Sequence, residues 1–326
     1  MAIIIHSSKK SCLSPQRDRL WRTPLAVHKP PRLEPGARIG IVAPAGSVEQ
    51  AALEAGIAAL RAEGFEVEIG AHVLARDGYL AGAAAERAAD LLEFFRRGDI
   101  AAILCARGGF GSIQLLPHLS AELAKYPKIF AGYSDITILL NWLCQSCGMV
   151  TFHGPMVADD LAGGLSADSR AQFWPILSGL RRDWSIGLAE TIRPGLAVGE
   201  MIGGCLSLLV TTLGTPYEID TRGKLLFLED VGEAPYRIER MLTHLKMAGK
   251  LDRPAGVVFG DFTNCRDGGP RGIKEIIADV FYDAAYPVAT GMRAGHGQEN
   301  LTLPFGVKMR LDASVPSLAL LESPVL

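Results

Sequence analysis

The chain has 326 residues, 48% of them hydrophobic and 21% charged, and a formal net charge of -2. Such a length supports a large buried core and two domains of about 100 to 200 residues each. The near-neutral charge argues against a nucleic-acid partner or a membrane surface, no apolar run approaches the roughly 18 to 20 residues of a membrane span, and small-molecule chemistry is what remains.

Residues 1–33 hold seven Lys or Arg against one acid, Asp18. A basic, serine-containing leader of this kind fits an organelle transit peptide or, the reading adopted here, an unstructured tail. From Arg38 short β-rich runs alternate with longer helical ones. The strands "RIGIVAP", "FEVEIG", "IAAILCA", "KIFAGY" and "MVTFHG" are separated by the helices "VEQAALEAGIAALRAEG" and "AAAERAADLLEFFRRGD", a short helix after "RGGFGS", and "DITILLNWLCQSCG". Parallel neighbours need crossover connections, so this rhythm predicts an N-terminal parallel sheet with helices on both faces, flavodoxin-like, over residues 34–170.

Residues 171–198 lose that rhythm and read as a connection with one helix near 171–180. A smaller C-terminal α/β domain is expected over residues 199–326. In it "GGCLSLLVTTLGT", "YRIERMLTHLKMAG" and "GIKEIIADVFYDA" read as helices, and "GKLLFLEDV", "AGVVFGDF", "YPVATG" and "GVKMRLDA" as strands.

The six cysteines, Cys12, Cys105, Cys144, Cys147, Cys205 and Cys265, lack the density of a disulfide scaffold and point to reduced thiols in an intracellular protein. Cys144 and Cys147 form a C-x-x-C without a second pair, at the apolar end of a helix, where Cys behaves as a small hydrophobe.

In open parallel sheets, ligands sit beyond the carboxyl ends of the strands. Reading those ends gives residues 43–46 and 107–112, Ser134 and Asp135, His153, Glu229 and Asp230, Gly260 and Asp261, and the loop carrying His296. A serine becomes a nucleophile when a base, oriented by a carboxylate, removes its proton. Ser134 stands at a strand-to-helix corner suited to that task, yet Ser134 or Asp135 also fits a simple N-cap, and the full G-x-S-x-G elbow is absent because Ile136 takes the last glycine's place. Glu229 or Asp230 emerges at a strand end. His296, between Gly295 and Gly297, competes with His153 for the role of base. The glycines of "CARGGFGS" fit a tight turn or an oxyanion hole, and lack the spacing of a nucleotide-binding loop.

In order and spacing, "GARIGIVAPAG", "ILCARGGFGSIQLLPHL", "KIFAGYSDIT", "TFHGPM", "LLFLEDVGEAPYRIERML" and "GHGQENLTLPFGV" resemble the LD-carboxypeptidase family of serine peptidases, over roughly residues 34–315. That family includes muramoyltetrapeptide carboxypeptidases and microcin-immunity peptidases. The resemblance implies Ser134 as nucleophile, Glu229 as acid and His296 as base, with backbone N–H groups of Gly109 and Asp135 as the oxyanion hole. It implies a cytoplasmic enzyme without metal or cofactor, a homodimer, whose substrate is murein tetrapeptide and which binds neither nucleic acid nor membrane. Arg107, beside the hole, is a candidate for the substrate carboxylate. Cys205 departs from the Asn expected there in many relatives. Two other functions stay open: a microcin-immunity-like peptidase acting on a peptidyl-nucleotide, and a non-catalytic two-domain protein that closes on a small ligand.

Overall fold

The computed structural model describes residues 26–181, 184–265 and 271–326. Its strands are β1 (Arg38–Val42), β2 (Glu66–Ile69), β3 (Ala102–Cys105), β4 (Ile129–Gly132), β5 (Thr151–His153), β6 (Ser185–Gly187), β7 (Glu190–Arg193), β8 (Leu196–Cys205), β9 (Leu225–Val231), β10 (Gly256–Thr263), β11 (Val288–Thr290), β12 (Leu303–Phe305), β13 (Lys308–Asp312) and β14 (Ser317–Leu320). The α-helices are α1 (Gln50–Ala62), α2 (Ala84–Arg96), α3 (Thr137–Cys147), α4 (Ala167–Leu177), α5 (Leu206–Thr211), α6 (Pro235–Met247) and α7 (Ile273–Val280).

Two sheets form. The first runs β12-β5-β4-β3-β1-β2, parallel except for β12. Strands β1, β3, β4 and β5 are buried almost throughout, as expected of strands covered on both faces, and this is why they read as continuous apolar runs. The second sheet runs β6-β14-β13-β8-β9-β10-β11-β7, with a parallel centre from β8 to β11 and antiparallel strands outside it.

The expected α/β class and parallel first sheet are what the fold contains, but three stretches differ. The expected tail over residues 1–33 lies outside the described residues up to residue 25, while its last part is ordered: His28 bridges Met149 in parallel, and Leu33 is buried with its N–H donating to Leu177 O. Residues 171–198 hold more than one helix, since β6 and β7 edge the second sheet and β8 begins at Leu196. The helix there starts earlier than expected because Ser166 Oγ caps it, accepting from Ser169 N–H at 3.2 Å. The run "GGC", expected as helix, instead ends strand β8; its glycines stand at positive φ, where a helix cannot form, and only Leu206–Thr211 coils.

Two devices join the sheets. After β11 the chain crosses from the second sheet to the first, where β12 pairs with β5, Leu303 opposite His153. Asn141 on α3 reaches the other way: its Nδ2 donates to Gly203 O at 2.7 Å and its Oδ1 accepts from Gly203 N–H at 3.0 Å, while Thr137 Oγ1 accepts from Cys205 N–H at 3.1 Å. Among the described residues no helix is long and apolar enough to cross a membrane.

Candidate active site

Strand β4 ends at Gly132, and the chain turns at once. Tyr133 is extended, Ser134 has φ of 61°, and a single 3-10 turn over Ser134–Ile136 leads into α3. A left-handed serine costs on the order of 1–3 kcal/mol and persists only where the surroundings hold it. Here the neighbouring loop after β3 holds it. A Cβ on Gly108 would lie 2.7 Å from Ser134 Cβ and 2.8 Å from its Oγ, so only glycine allows the loop this close. Ser134 is half-buried, and its hydroxyl makes no hydrogen bond among the described residues.

Asp135 does the stitching instead. It is fully buried; its Oδ2 accepts from Ser112 N–H at 2.7 Å and its carbonyl from Ser112 Oγ at 2.6 Å. Burial pushes its carboxyl above the ordinary range, and those bonds from Ser112 oppose the push. The N–H groups of Gly109 and Asp135 find no acceptor among the described residues. Two free amides beside a serine are the donors an oxyanion needs.

The alternation of β9 decides between the paired carboxylates. Glu229 is wholly buried and its Oε2 lies 2.7 Å from His296 Nδ1. Asp230 points to the opposite face, where it accepts from Ser207 N–H at 2.8 Å and from Ser207 Oγ at 3.2 Å, with Cys205 Sγ at 3.6 Å. Burial pulls the His296 imidazole down, but the bond and charge of Glu229, with Asp230 and Asp160 behind it, leave it net above its ordinary 6.5. Glu229 Oε1 has no partner among the described residues, so the bond to His296 carries this carboxylate.

His296 meets the Ser134 corner through Tyr133, whose ring centroid lies 5.0 Å from the imidazole. No hydrogen bond joins Ser134 Oγ to His296 among the described residues; in substrate-free sites such contacts are often loose and tighten in the complex. His153, the competing histidine, is fully buried among Phe227, Tyr133 and Phe305, with neither ring nitrogen partnered among the described residues. Burial, and then the charge of His296, push it down to about 3, too weak a base to take a serine proton near neutrality.

Arg107 lies half-buried at the edge of the Gly108 turn, donating from Nη1 to Ser47 O at 3.2 Å, with its Nε buried and unpartnered among the described residues. Two contributors were not singled out from the sequence. Tyr133 is one, although it directly precedes the serine. The other is Asp160, on the π-helical turn Val157–Leu161; burial pushes it up to about 6, against the bond it accepts from Met156 N–H. A shortlist carried a few residues past His153 would have reached it. The five described cysteines are free, and Cys144 and Cys147 are not bonded to each other: Cys144 Sγ contacts Thr151 Oγ1, and burial pushes both thiols up to about 12. No group of three or more metal-ligating side chains occurs among the described residues.

Comparison with known proteins agrees with this architecture. Residues 39–154 match the family model for the LD-carboxypeptidase N-terminal domain and residues 198–311 that for the LD-carboxypeptidase C-terminal domain. The chain is 40% identical over 295 residues to a probable murein peptide carboxypeptidase of Bacillus subtilis, covering 88% of this chain and 92% of that one. To the microcin C7 self-immunity protein of Escherichia coli it is 28% identical over 300 residues, 82% of this chain and 87% of that one. The crystal structure of a muramoyltetrapeptide carboxypeptidase from Oxalobacter formigenes superimposes with a TM-score of 0.80 at 30% identity, covering 87% of this chain and 97% of that one.

Proposed function

The chain belongs to the LD-carboxypeptidase family of serine peptidases, and from that premise we propose that it removes the terminal D-alanine of murein tetrapeptide by acyl transfer through Ser134, His296 and Glu229. The observation that carries the reading is the 2.7 Å bond between His296 Nδ1 and the wholly buried Glu229, set beside a serine held in a left-handed conformation. Glu229 fixes the tautomer, so that Nδ1 carries the proton and Nε2 is free to act. Nε2 takes the Ser134 hydroxyl proton as Oγ attacks the carbonyl carbon of the L,D amide. The oxygen, now negative, receives hydrogen bonds from Gly109 and Asp135 N–H. His296 passes its proton to the leaving nitrogen, and D-alanine departs. It then deprotonates a water that attacks the acyl carbon, and the released Ser134 recovers its proton. Arg107 Nη2, without a partner among the described residues, offers a donor to the terminal carboxylate. Our reading puts this activity in the cytoplasm.

Mass spectrometry of murein tetrapeptide incubated with the native chain and with Ser134→Ala tests this. The native chain is expected to release D-alanine and the variant to release it at least about 10⁴-fold more slowly. Equal release by both forms rejects Ser134. Release by neither rejects the substrate; hydrolysis of an aminoacyl-sulfamoyl-adenylate by the native chain would then support the microcin-immunity reading, which the likeness to the Escherichia coli protein favours.

A further inference from the structure

Helix α2 carries a buried arginine that the proposed mechanism does not use. Arg87 is 2% exposed, although it sits in a stretch, "AAERAADLL", that reads as an ordinary surface-facing charge pattern. Its guanidinium ties together three separate segments. Nε donates to Gly82 O at 3.1 Å, Nη1 to Pro44 O at 2.5 Å and to Gly111 O at 3.0 Å, and Nη2 to Gln114 Oε1 at 2.6 Å. Pro44 belongs to the loop after β1, and Gly111 to the loop after β3 that contains Gly109. The fit is close: a Cβ on Gly111, whose φ is 127°, would lie 2.8 Å from Arg87 Nη1.

The same short loop is held at two other points. Gly108 O accepts from Gly46 N–H at 3.0 Å, and Ser112 is fastened to Asp135 through both its N–H and its hydroxyl. Between these anchors the Gly109 amide has no acceptor among the described residues. Arg87 and Asp135 therefore both grip one end of the turn, and Asp135 is also the residue that follows Ser134. A buried guanidinium is retained only when its donors are satisfied; a single planar fork serving four acceptors on separate segments fixes their relative positions, which the compact ammonium of lysine cannot reproduce.

We propose that Arg87 is a positioning residue for the oxyanion hole, setting the Gly109 N–H against Ser134 by clamping the carbonyls of Pro44 and Gly111. It touches no substrate and acts through the loop. The proposal rests on the assignment of Ser134 and Gly109 above, and its test separates the two.

The test is the rate of covalent labelling by a fluorophosphonate, whose phosphoryl oxygen must enter the same hole, measured together with kcat and KM for murein tetrapeptide. In Arg87→Ala, both kcat and the labelling rate are expected to fall about 100-fold, the usual penalty for a misplacement of about 1 Å, while KM stays within about threefold. Methylguanidinium added to Arg87→Ala is expected to restore at least about a tenth of the lost rate. Arg87→Lys is expected to lose about tenfold in both rates with an unfolding midpoint close to native, and it carries the test if the alanine variant does not fold. A folded variant with native kcat and labelling rate, a loss confined to KM, or failure of both variants to fold would overturn the proposal. Failure of the native chain to label at Ser134 would instead overturn the nucleophile assignment, and the inference with it.

Discussion

On the proposed nucleophile side, a strained Ser134 and the glycine turn pressed against it are fastened by two wholly buried groups, the Arg87 guanidinium and the Asp135 carboxylate. On the proposed base side, His296 is oriented by Glu229, on a chain segment that crosses between the two sheets. The turn need only keep its shape, whereas the imidazole-carboxylate pair must gain and lose a proton. The two sides should therefore fail differently, the first through shape and the second through charge and tautomer.

Glu229→Gln presses hardest on that contrast. The amide can donate to Nδ1, which turns the imidazole so that Nε2 holds the proton and cannot accept another; kcat is expected to fall about 10⁴-fold. The native acid limb of kcat/KM should lie above pH 6.5, because His296 must be neutral to act as base and its pKa is raised. Removing the carboxylate removes the largest raising influence and leaves burial opposed only by the charges of Asp230 and Asp160, so the residual activity of the variant should keep its neutral base to lower pH. A limb in the same place in both proteins would show that Glu229 does not govern the base.

Gly108→Ala probes the other side. The added methyl, 2.7 Å from Ser134 Cβ, forces the turn or the serine to move by several tenths of an ångström. A fall in kcat of about 100-fold is expected, with the pH profile unmoved. Native turnover in this variant would mean that the close approach is not needed, and a shifted acid limb would mean that the two sides are electrostatically coupled.

Asn141→Ala is expected to change activity least and stability measurably. It strands the N–H and C=O of Gly203, both buried, at a cost of about 2–4 kcal/mol in denaturant unfolding. A midpoint equal to the native one would show that the link between α3 and β8 is dispensable.

Much of the fold was visible in the chain because the buried strands are apolar runs separated by helices of the right period. What escaped was short and non-local. β12 is three residues long with a proline at its centre, and β7 is half-exposed along its whole length, so neither shows a period; only pairing with a distant strand makes them strands. The last three residues of β8 read as helix because "GGCLSLL" ends in good helix formers, whereas the glycines' positive φ goes with close packing against β9 and α3. The shortlist of strand ends contains Glu229 and His296, which the structure pairs, and Ser134, whose neighbour Tyr133 packs on the imidazole. It could not choose between Glu229 and Asp230 or between His296 and His153, since those choices depend on which face of a strand is turned inward. Arg87 was hidden for a related reason: a charge within a helix reads as solvated until the loops that bury it are in place.

The amide of Asn141 presents a donor and an acceptor to Gly203 just as a peptide group would, so α3 is attached to β8 as though it supplied one more rung of the ladder. Since β8 in turn pairs Cys205 with Glu229, the helix that follows Ser134 and the strand that carries Glu229 are tied through the register of one strand. A clamshell motion, with one half swinging open to admit its ligand, would have to unzip this joint and the β12 crossing together. Substrate entry is thereby left to the loops around a rigid frame, and selectivity can drift by loop exchange while the chemistry stays in register.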